Sequence, residues 1–226
     1  MFLVIAYLYL KIYFLLDIYK SKQHKLYKLN CSFINIQAYL KLFINKKRVD
    51  KMKELFEICL YSRASQGAKT IAELLARTAI LEGKYAQAFS EYGSERYGAP
   101  MEVFLRVSNK PIKIHTPIIK PDLAVILDPS LIYNKTFDTK ILVINSSKEL
   151  KLKNYKRIYT IDASKISIQN LGKDLPNIPI LALIEKISDI VSLNDLKKII
   201  YEHFKDKYNQ EIAEKNLKVF EIAYQK

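Results

Sequence analysis

From Leu55 onward, apolar positions fall into short runs separated by polar turns. Leu55-Phe56-Glu57-Ile58-Cys59-Leu60-Tyr61 is nearly continuous and predicts a buried first strand. After the polar turn Ser62–Gly67, apolar residues recur at Ala68, Ile71, Ala72, Leu75 and Ala79, one face of a helix. Gly83 then stands where a helix end needs a positive φ. A short strand and a second glycine-bearing turn complete the stretch 62–100, around which the rest of the chain is organised. Met101–Val107 alternates, with Val103, Leu105 and Val107 against Glu102, Phe104 and Arg106. The turn Ser108-Asn109-Lys110-Pro111 predicts Ile112–His115 as its hairpin partner. Leu123–Leu127, Ile141–Ile144 and Ile158–Ile161 are continuously apolar, as strands covered on both faces are. Each run meets a polar residue at its end: Asp128, Asn145 and Asp162. Taken singly these are turn formers or helix N-caps; together they mark the edge where doubly wound sheets place ligands and partners.

The last third reads as helical. Ser192-Leu193-Asn194-Asp195 has the form of an N-cap with an acid three residues later, and Leu196, Ile199, Ile200 and Phe204 supply the apolar face. A final helix over about 211–224 carries Ala213, Leu217, Phe220 and Tyr224 on one stripe. Pro176 and Pro179 bracket a loop before Ile180–Ile187. The sum over 52–226 is an α/β fold: one Rossmann-like domain with a mainly parallel sheet, a β-hairpin and a helical C-terminal third.

Residues 1–51 differ in kind. Met1–Leu10 is apolar throughout, Lys11 interrupts, and Ile12–Leu16 resumes. A central lysine costs about 2.5–3.5 kcal/mol on insertion scales, which weighs against a membrane span. The 51-residue extension has no Gly, Pro or Glu, whereas 13 Glu follow it. It is read as a mis-assigned start, against a membrane anchor or a basic appendage as the other two readings. The expectation is a cytoplasmic protein whose translation begins at Met52.

Charge changes the picture only after it is divided. The net charge of +14 splits into +8 over 1–51 and +6 over the much longer remainder. There, basic and acidic residues interleave as on a solvated surface, and no nucleic-acid partner is expected. Cys31 and Cys59 stand far apart, giving neither a disulfide framework nor a Cys-x-x-Cys motif. A cluster held by this chain alone would need about four thiolates. The three histidines, His24, His115 and His203, form no zinc pattern. No metal site and no catalytic set is therefore assigned to this chain. The turn 62–67 supports an anion-binding reading only by its place before a helix, with Arg63 and Lys69 adding charge there. It is neither a Walker loop nor a dinucleotide fingerprint. Glu95 and Arg96, between Gly93 and Gly98 and flanked by Tyr92 and Tyr97, form a shaped polar loop suited to an interface.

Ser62-Arg63-Ala64-Ser65-Gln66-Gly67 resembles a Gly-Arg-Gly-Gly-Gln-Gly signature. Lys84-Tyr85-Ala86-Gln87-Ala88-Phe89 and Tyr92-Gly93-Ser94-Glu95-Arg96-Tyr97-Gly98-Ala99-Pro100 resemble its usual companions. The likeness continues through Lys120-Pro121-Asp122, Leu127-Asp128-Pro129, Ile161-Asp162-Ala163 and Ile190-Val191-Ser192-Leu193 to Ala213-Glu214-Lys215-Asn216. Residues 52–226 are thereby similar to the gamma subunit of the pyruvate:ferredoxin oxidoreductase (pyruvate synthase) family. Three of the four loop glycines are here Ser62, Ala64 and Ser65, and the usual proline before Glu95 is Ser94. The resemblance implies an oxidoreductase subunit inactive alone, with alpha, beta and delta partner subunits carrying thiamine diphosphate, Mg²⁺ and 4Fe–4S clusters. It further implies that the assembled enzyme takes pyruvate, coenzyme A and oxidised ferredoxin to acetyl-CoA, CO₂ and reduced ferredoxin. A branched-chain 2-oxoacid (2-ketoisovalerate) enzyme is the alternative, as is a stand-alone anion- or nucleotide-binding module. The residues implied on the coenzyme A or interface side are Arg63, Ser65, Gln66, Gly67, Tyr92, Gly93, Glu95, Arg96 and Gly98.

Overall fold

β1 (Leu55–Arg63) lies inside a six-stranded sheet of order β2-β3-β1-β4-β5-β6. The computed structural model describes residues 53–92, 99–133, 135–150, 152–153 and 155–226. The expectations for residues 1–51 and for the Gly93–Gly98 loop lie outside the described residues. α1 (Ala68–Leu81) follows β1; then come β2 (Tyr85–Tyr92), β3 (Pro100–Ser108), β4 (Leu123–Ile126), β5 (Ile141–Asn145) and β6 (Arg157–Ile161). Four helices complete the chain: α2 (Ala163–Leu171), α3 (Asn177–Ser188), α4 (Leu193–Lys207) and α5 (Gln210–Gln225). β1, β4, β5 and β6 are mutually parallel, while β3 pairs antiparallel with both β1 and β2. The mainly parallel sheet, the hairpin and the helical C-terminal third are all present.

The hairpin has a different second strand from the one expected. Ile112–His115 forms no strand, and β3 instead pairs with β2 from Tyr85↔Ser108 to Tyr92↔Met101. With β1 on its other side, β3 has no free edge left for a third neighbour. The carbonyls of Ile114 and Thr116 are instead taken by Arg106, whose Nη2 donates to Thr116 O at 2.7 Å.

Alternation along the strands splits the core into two layers. Ile58, Leu60, Val103, Leu105, Leu123, Val125 and Val143 pack under the helices with Ile71, Leu75, Ile180, Ile200 and Phe220. Cys59, Tyr61, Phe104, Ala124, Ile126, Leu142 and Ile144 point the other way, beneath Ile118, Leu131 and Phe137. Among the described residues, the second layer is thus roofed by chain outside the α-helices. That roof explains why β3's polar-looking face is buried. Arg106 is only 1% exposed; it pairs with Glu57 (Nε–Oε1 2.9 Å), donates to Gln87 and lies over the Phe89 ring.

β6 departs from the expectation of strands covered on both faces: it is an edge strand, half-buried over Ile158–Thr160 and exposed at Arg157. Pro179 does not bracket a loop either. α3 already starts at Asn177, with Pro176 as N-cap. Pro179 sits in its first turn, where a missing N–H leaves no intrahelical bond unmade. The Ser192 cap, which accepts from Asp195 N, and the five buried apolar positions of α1 are as the periodicity predicts. His203 is buried against Arg77, whose Nη1 lies 3.4 Å from Nδ1. Burial lowers its pKa against the pull of Glu73 3.7 Å away, so it is neutral near pH 7 and structural.

Candidate functional site

β2 runs parallel to β1 because both are antiparallel to β3, so the C-terminal ends of β1, β2, β4, β5 and β6 share one edge of the sheet. That edge gathers the Ser62–Gly67 turn, Tyr92 and Pro100 at the base of the hairpin loop, and the polar residues Asp128, Asn145 and Asp162. Arg63 pairs in register with Pro100 and Tyr92 with Met101, which places the two expected loops beside each other at their bases. Chain direction across the sheet also reverses between β1 and β4, since β1 connects towards β2 and β4 towards β5. Outside the carboxyl ends at such a switch point is where open α/β sheets bind ligands.

Side chains from the two sides of this switch meet. Arg63 Nε donates to Asp128 Oδ2 at 2.9 Å and Nη2 to Ser130 Oγ at 3.0 Å. Gln66 Nε2 approaches the same carboxylate at 3.4 Å, while Gln66 Oε1 accepts from Arg63 N at 2.8 Å. Asp128 Oδ1 accepts from Ser130 N at 2.9 Å, capping the short 3₁₀ turn Pro129–Leu131. Burial disfavours the charged carboxylate, but the Ser130 hydrogen bonds and the Arg63 guanidinium outweigh it and hold the Asp128 pKa below its ordinary value. A lowered pKa in the folded state means stability that is present above about pH 4 and lost as pH falls through the folded value. Asp128→Asn should therefore cost a constant amount of stability above about pH 5 and progressively less below about pH 4. Urea midpoints of both proteins from pH 7 to pH 3 would check this; a gap that widens on acidification would refute the pairing.

The helix N-termini at this edge fall into two kinds. Asp162 caps α2 by accepting from Lys165 N, and buried Asn145 accepts from Ala163 N and Ser164 N while donating to Leu127 O. These polar strand ends are structural caps. α1 and α3 have no side-chain cap, their N-caps being Gly67 and Pro176. The two uncapped N-termini converge: a Cβ on Gly67 would lie 2.7 Å from Asn177 Nδ2. Gly67 has φ 81° and Ser65 φ 73°, so the turn is wound through two left-handed residues. Ser62 is wholly buried on the helix side of β1, in phase with Ile58 and Leu60, and its Oγ has no hydrogen-bond partner. Uncapped N–H groups and an unpartnered hydroxyl are the features an anion would satisfy.

Of the expected site residues, Arg63, Gln66, Ser65 and Gly67 form this turn and Tyr92 ends β2 beside it. Gly93, Glu95, Arg96 and Gly98 lie outside the described residues. Asp128 and Ser130 are the additions; the sequence placed Asp128 at the ligand edge but not its pairing with Arg63, because the two lie 65 residues apart in sequence. Among the described residues no three of His, Cys, Asp and Glu group together, and Cys59 is buried with its thiol pKa pushed up by desolvation and by Glu102. No helix among the described residues is long and apolar enough to cross a membrane.

The model of the pyruvate ferredoxin/flavodoxin oxidoreductase family matches residues 57–226. The chain is 37% identical over 183 residues to the common gamma subunit of the pyruvate/ketoisovalerate oxidoreductases of Pyrococcus furiosus, covering 76% of this chain and 97% of that one. It is 34% identical over 182 residues to the pyruvate synthase subunit PorC of Thermotoga maritima, covering 76% and 95%. The crystal structure of the pyruvate oxidoreductase subunit PORC of Thermotoga maritima superposes with a TM-score of 0.64 at 31% identity, covering 77% of this chain and 97% of that one. The family match over most of the chain and the near-complete coverage of these relatives agree, and the chain belongs to the gamma subunits of the pyruvate ferredoxin/flavodoxin oxidoreductase family.

Proposed function

We propose that this chain is the gamma component of a multisubunit 2-oxoacid:ferredoxin oxidoreductase and acts on pyruvate. The assembled enzyme converts pyruvate, coenzyme A and oxidised ferredoxin into acetyl-CoA, CO₂ and reduced ferredoxin. The observation that carries this reading is coverage: relatives named as gamma or PorC subunits are matched over 95–97% of their own length. A branched-chain 2-oxoacid is the second reading, favoured by the relative whose name joins pyruvate and ketoisovalerate. On this proposal, thiamine diphosphate, Mg²⁺ and 4Fe–4S clusters are held by alpha, beta and delta partners in the cytoplasm. The chain's own residues supply the carboxyl-edge surface. Ser65, Gln66 and Gly67 present the uncapped start of α1 to an anionic group of coenzyme A, and Arg63 fixes the turn through Asp128. Tyr92, Gly93, Glu95, Arg96 and Gly98 form the adjoining loop against coenzyme A or a partner subunit.

The test is reconstitution of the complex from its separately produced subunits with and without this chain. Pyruvate- and coenzyme A-dependent reduction of ferredoxin is expected only when the chain is present, and pyruvate should outrun 2-ketoisovalerate. Arg96→Ala should leave the melting temperature of the subunit within about 1 °C while lowering turnover of the complex about tenfold, as expected of a loop residue on a rigid scaffold. Full activity without the chain would refute the assignment, and unaltered turnover of Arg96→Ala at every coenzyme A concentration would remove the loop from it.

A further inference from the structure

Of the described histidines, His115 is exposed and His203, on α4, is buried at the joint with α1. The His203 ring packs edge-to-face with Phe204, ring centres 5.1 Å apart. Its Nδ1 faces two groups of opposite charge from consecutive turns of α1. Arg77 Nη1 lies 3.4 Å away and Glu73 Oε1 3.7 Å. A guanidinium carries donors only, so a hydrogen bond from Arg77 requires Nδ1 to be the bare, accepting nitrogen. The proton of the neutral ring then sits on Nε2, because the bond made at one ring nitrogen decides the state of the other. A charged ring reverses these preferences. Nδ1–H brings Arg77 a second positive charge and no acceptor, whereas it brings Glu73 both a donor and an opposite charge.

We infer that the α1–α4 joint is a proton-operated exchange: near neutral pH His203 Nδ1 accepts from Arg77, and on taking a proton it releases Arg77 and donates to Glu73. Glu73 and Arg77 stand four residues apart on one helix, so they are side-by-side neighbours and the exchange needs only side-chain movement. Burial disfavours the charged ring and lowers the His203 pKa. Among the described residues, Arg77 of α1 and Lys207 of α4 act with burial, while Glu73 of α1 and Asp206 of α4 oppose it. A histidine whose pKa is lowered by folding contributes its full stability above the unfolded value, about 6.5. That contribution is lost as pH falls through this value towards the folded one. The exchange also changes a surface. Glu73 and Arg77 line a groove of about 380 Å³ between α1 and β2. Drawing Glu73 inward and freeing Arg77 makes the wall of that groove more basic in acid. The joint belongs to the helical layer, so it needs neither the substrate nor the coenzyme A assignment made above.

Nitrogen-15 spectra of the full chain, labelled at histidine, test the starting state directly. Near neutral pH His203 is expected with a bare Nδ1 and a protonated Nε2, and Nδ1 should gain the proton on acidification. Urea unfolding between about pH 8 and pH 5, the range over which histidines titrate, tests the energetics. On acidification the unfolding constant should rise more steeply in the native chain than in His203→Gln, by up to about tenfold per pH unit, the limit for one proton. Comparison with His203→Gln cancels the other histidines. The two α1 variants should change that steepness in opposite directions. Arg77→Gln removes the repelling charge and should reduce it; Glu73→Gln removes the acceptor of the charged ring and should increase it. A purely structural contact would weaken the fold in both variants and leave its pH dependence alone. A proton on Nδ1 near neutral pH overturns the inference, whether or not the variants fold. So does a pH dependence unchanged in His203→Gln, or one moved the same way by both α1 variants.

Discussion

Replacing Arg106 by methionine is expected to lower the stability of the protein by about 3–5 kcal/mol, the cost of removing one partner from a buried ion pair. Arg106 is 1% exposed and its guanidinium reaches four acceptors: Glu57, Gln87 and the carbonyls of Ile114 and Thr116. Methionine would keep the stem over Phe89 but leave the Glu57 carboxylate alone and two carbonyls without their donor. Glu57→Gln should cost less, about 1–2 kcal/mol, because it keeps a hydrogen-bond acceptor and removes only the charge. Urea unfolding of both variants measures the difference. Limited proteolysis adds a local readout, since the chain around Lys110 and Lys113 should become cleavable once its carbonyls are released. A loss below about 1 kcal/mol for Arg106→Met would mean that the roof over this face is held by other contacts.

Gly67→Ala should cost about 2–4 kcal/mol, through two separate causes acting at one atom. The residue has φ 81°, a left-handed conformation that a Cβ disfavours. The added methyl would also meet the Nδ2, Cβ and Cγ atoms of Asn177 at 2.7–2.9 Å. Asn177→Ala in the same chain removes two of these three atoms and should recover part of the loss, leaving the backbone penalty. Unfolding midpoints of the two single variants and the double give the coupling between them. Strict additivity would show that α1 and α3 do not meet as closely as the structure places them.

Much of the architecture was legible along the chain because its signals are local. Leu123–Leu127 and Ile141–Ile144 are apolar on consecutive positions, which only strands buried on both faces require, and the structure buries them on both. The period of α1, its glycine end at Gly83 and the Ser192 cap are set by residues within a few positions of one another. Strand pairing was less legible. Ile112–His115 has a strand-like pattern, yet β3 already has two neighbours, and a local pattern does not record which edges are occupied. β6 has the composition of a central strand but the place of an edge, since strand order is a property of the whole sheet.

The candidate site divides along the same line. The order and spacing of Ser62–Gly67, Tyr92–Pro100 and Leu127-Asp128-Pro129 were sufficient to identify the gamma-subunit resemblance, because family motifs persist as strings. The chain alone also showed that Gly67 opens a helix. What Arg63 does was decided only by tertiary structure, since parallel pairing of β1 with β4 carries Asp128 to its side across 65 residues. The same holds for the unpartnered Ser62 hydroxyl and for the two uncapped helix ends that meet at Asn177. A sequence records which groups each residue owns; whether those groups find partners depends on what the fold brings within about 3 Å of them.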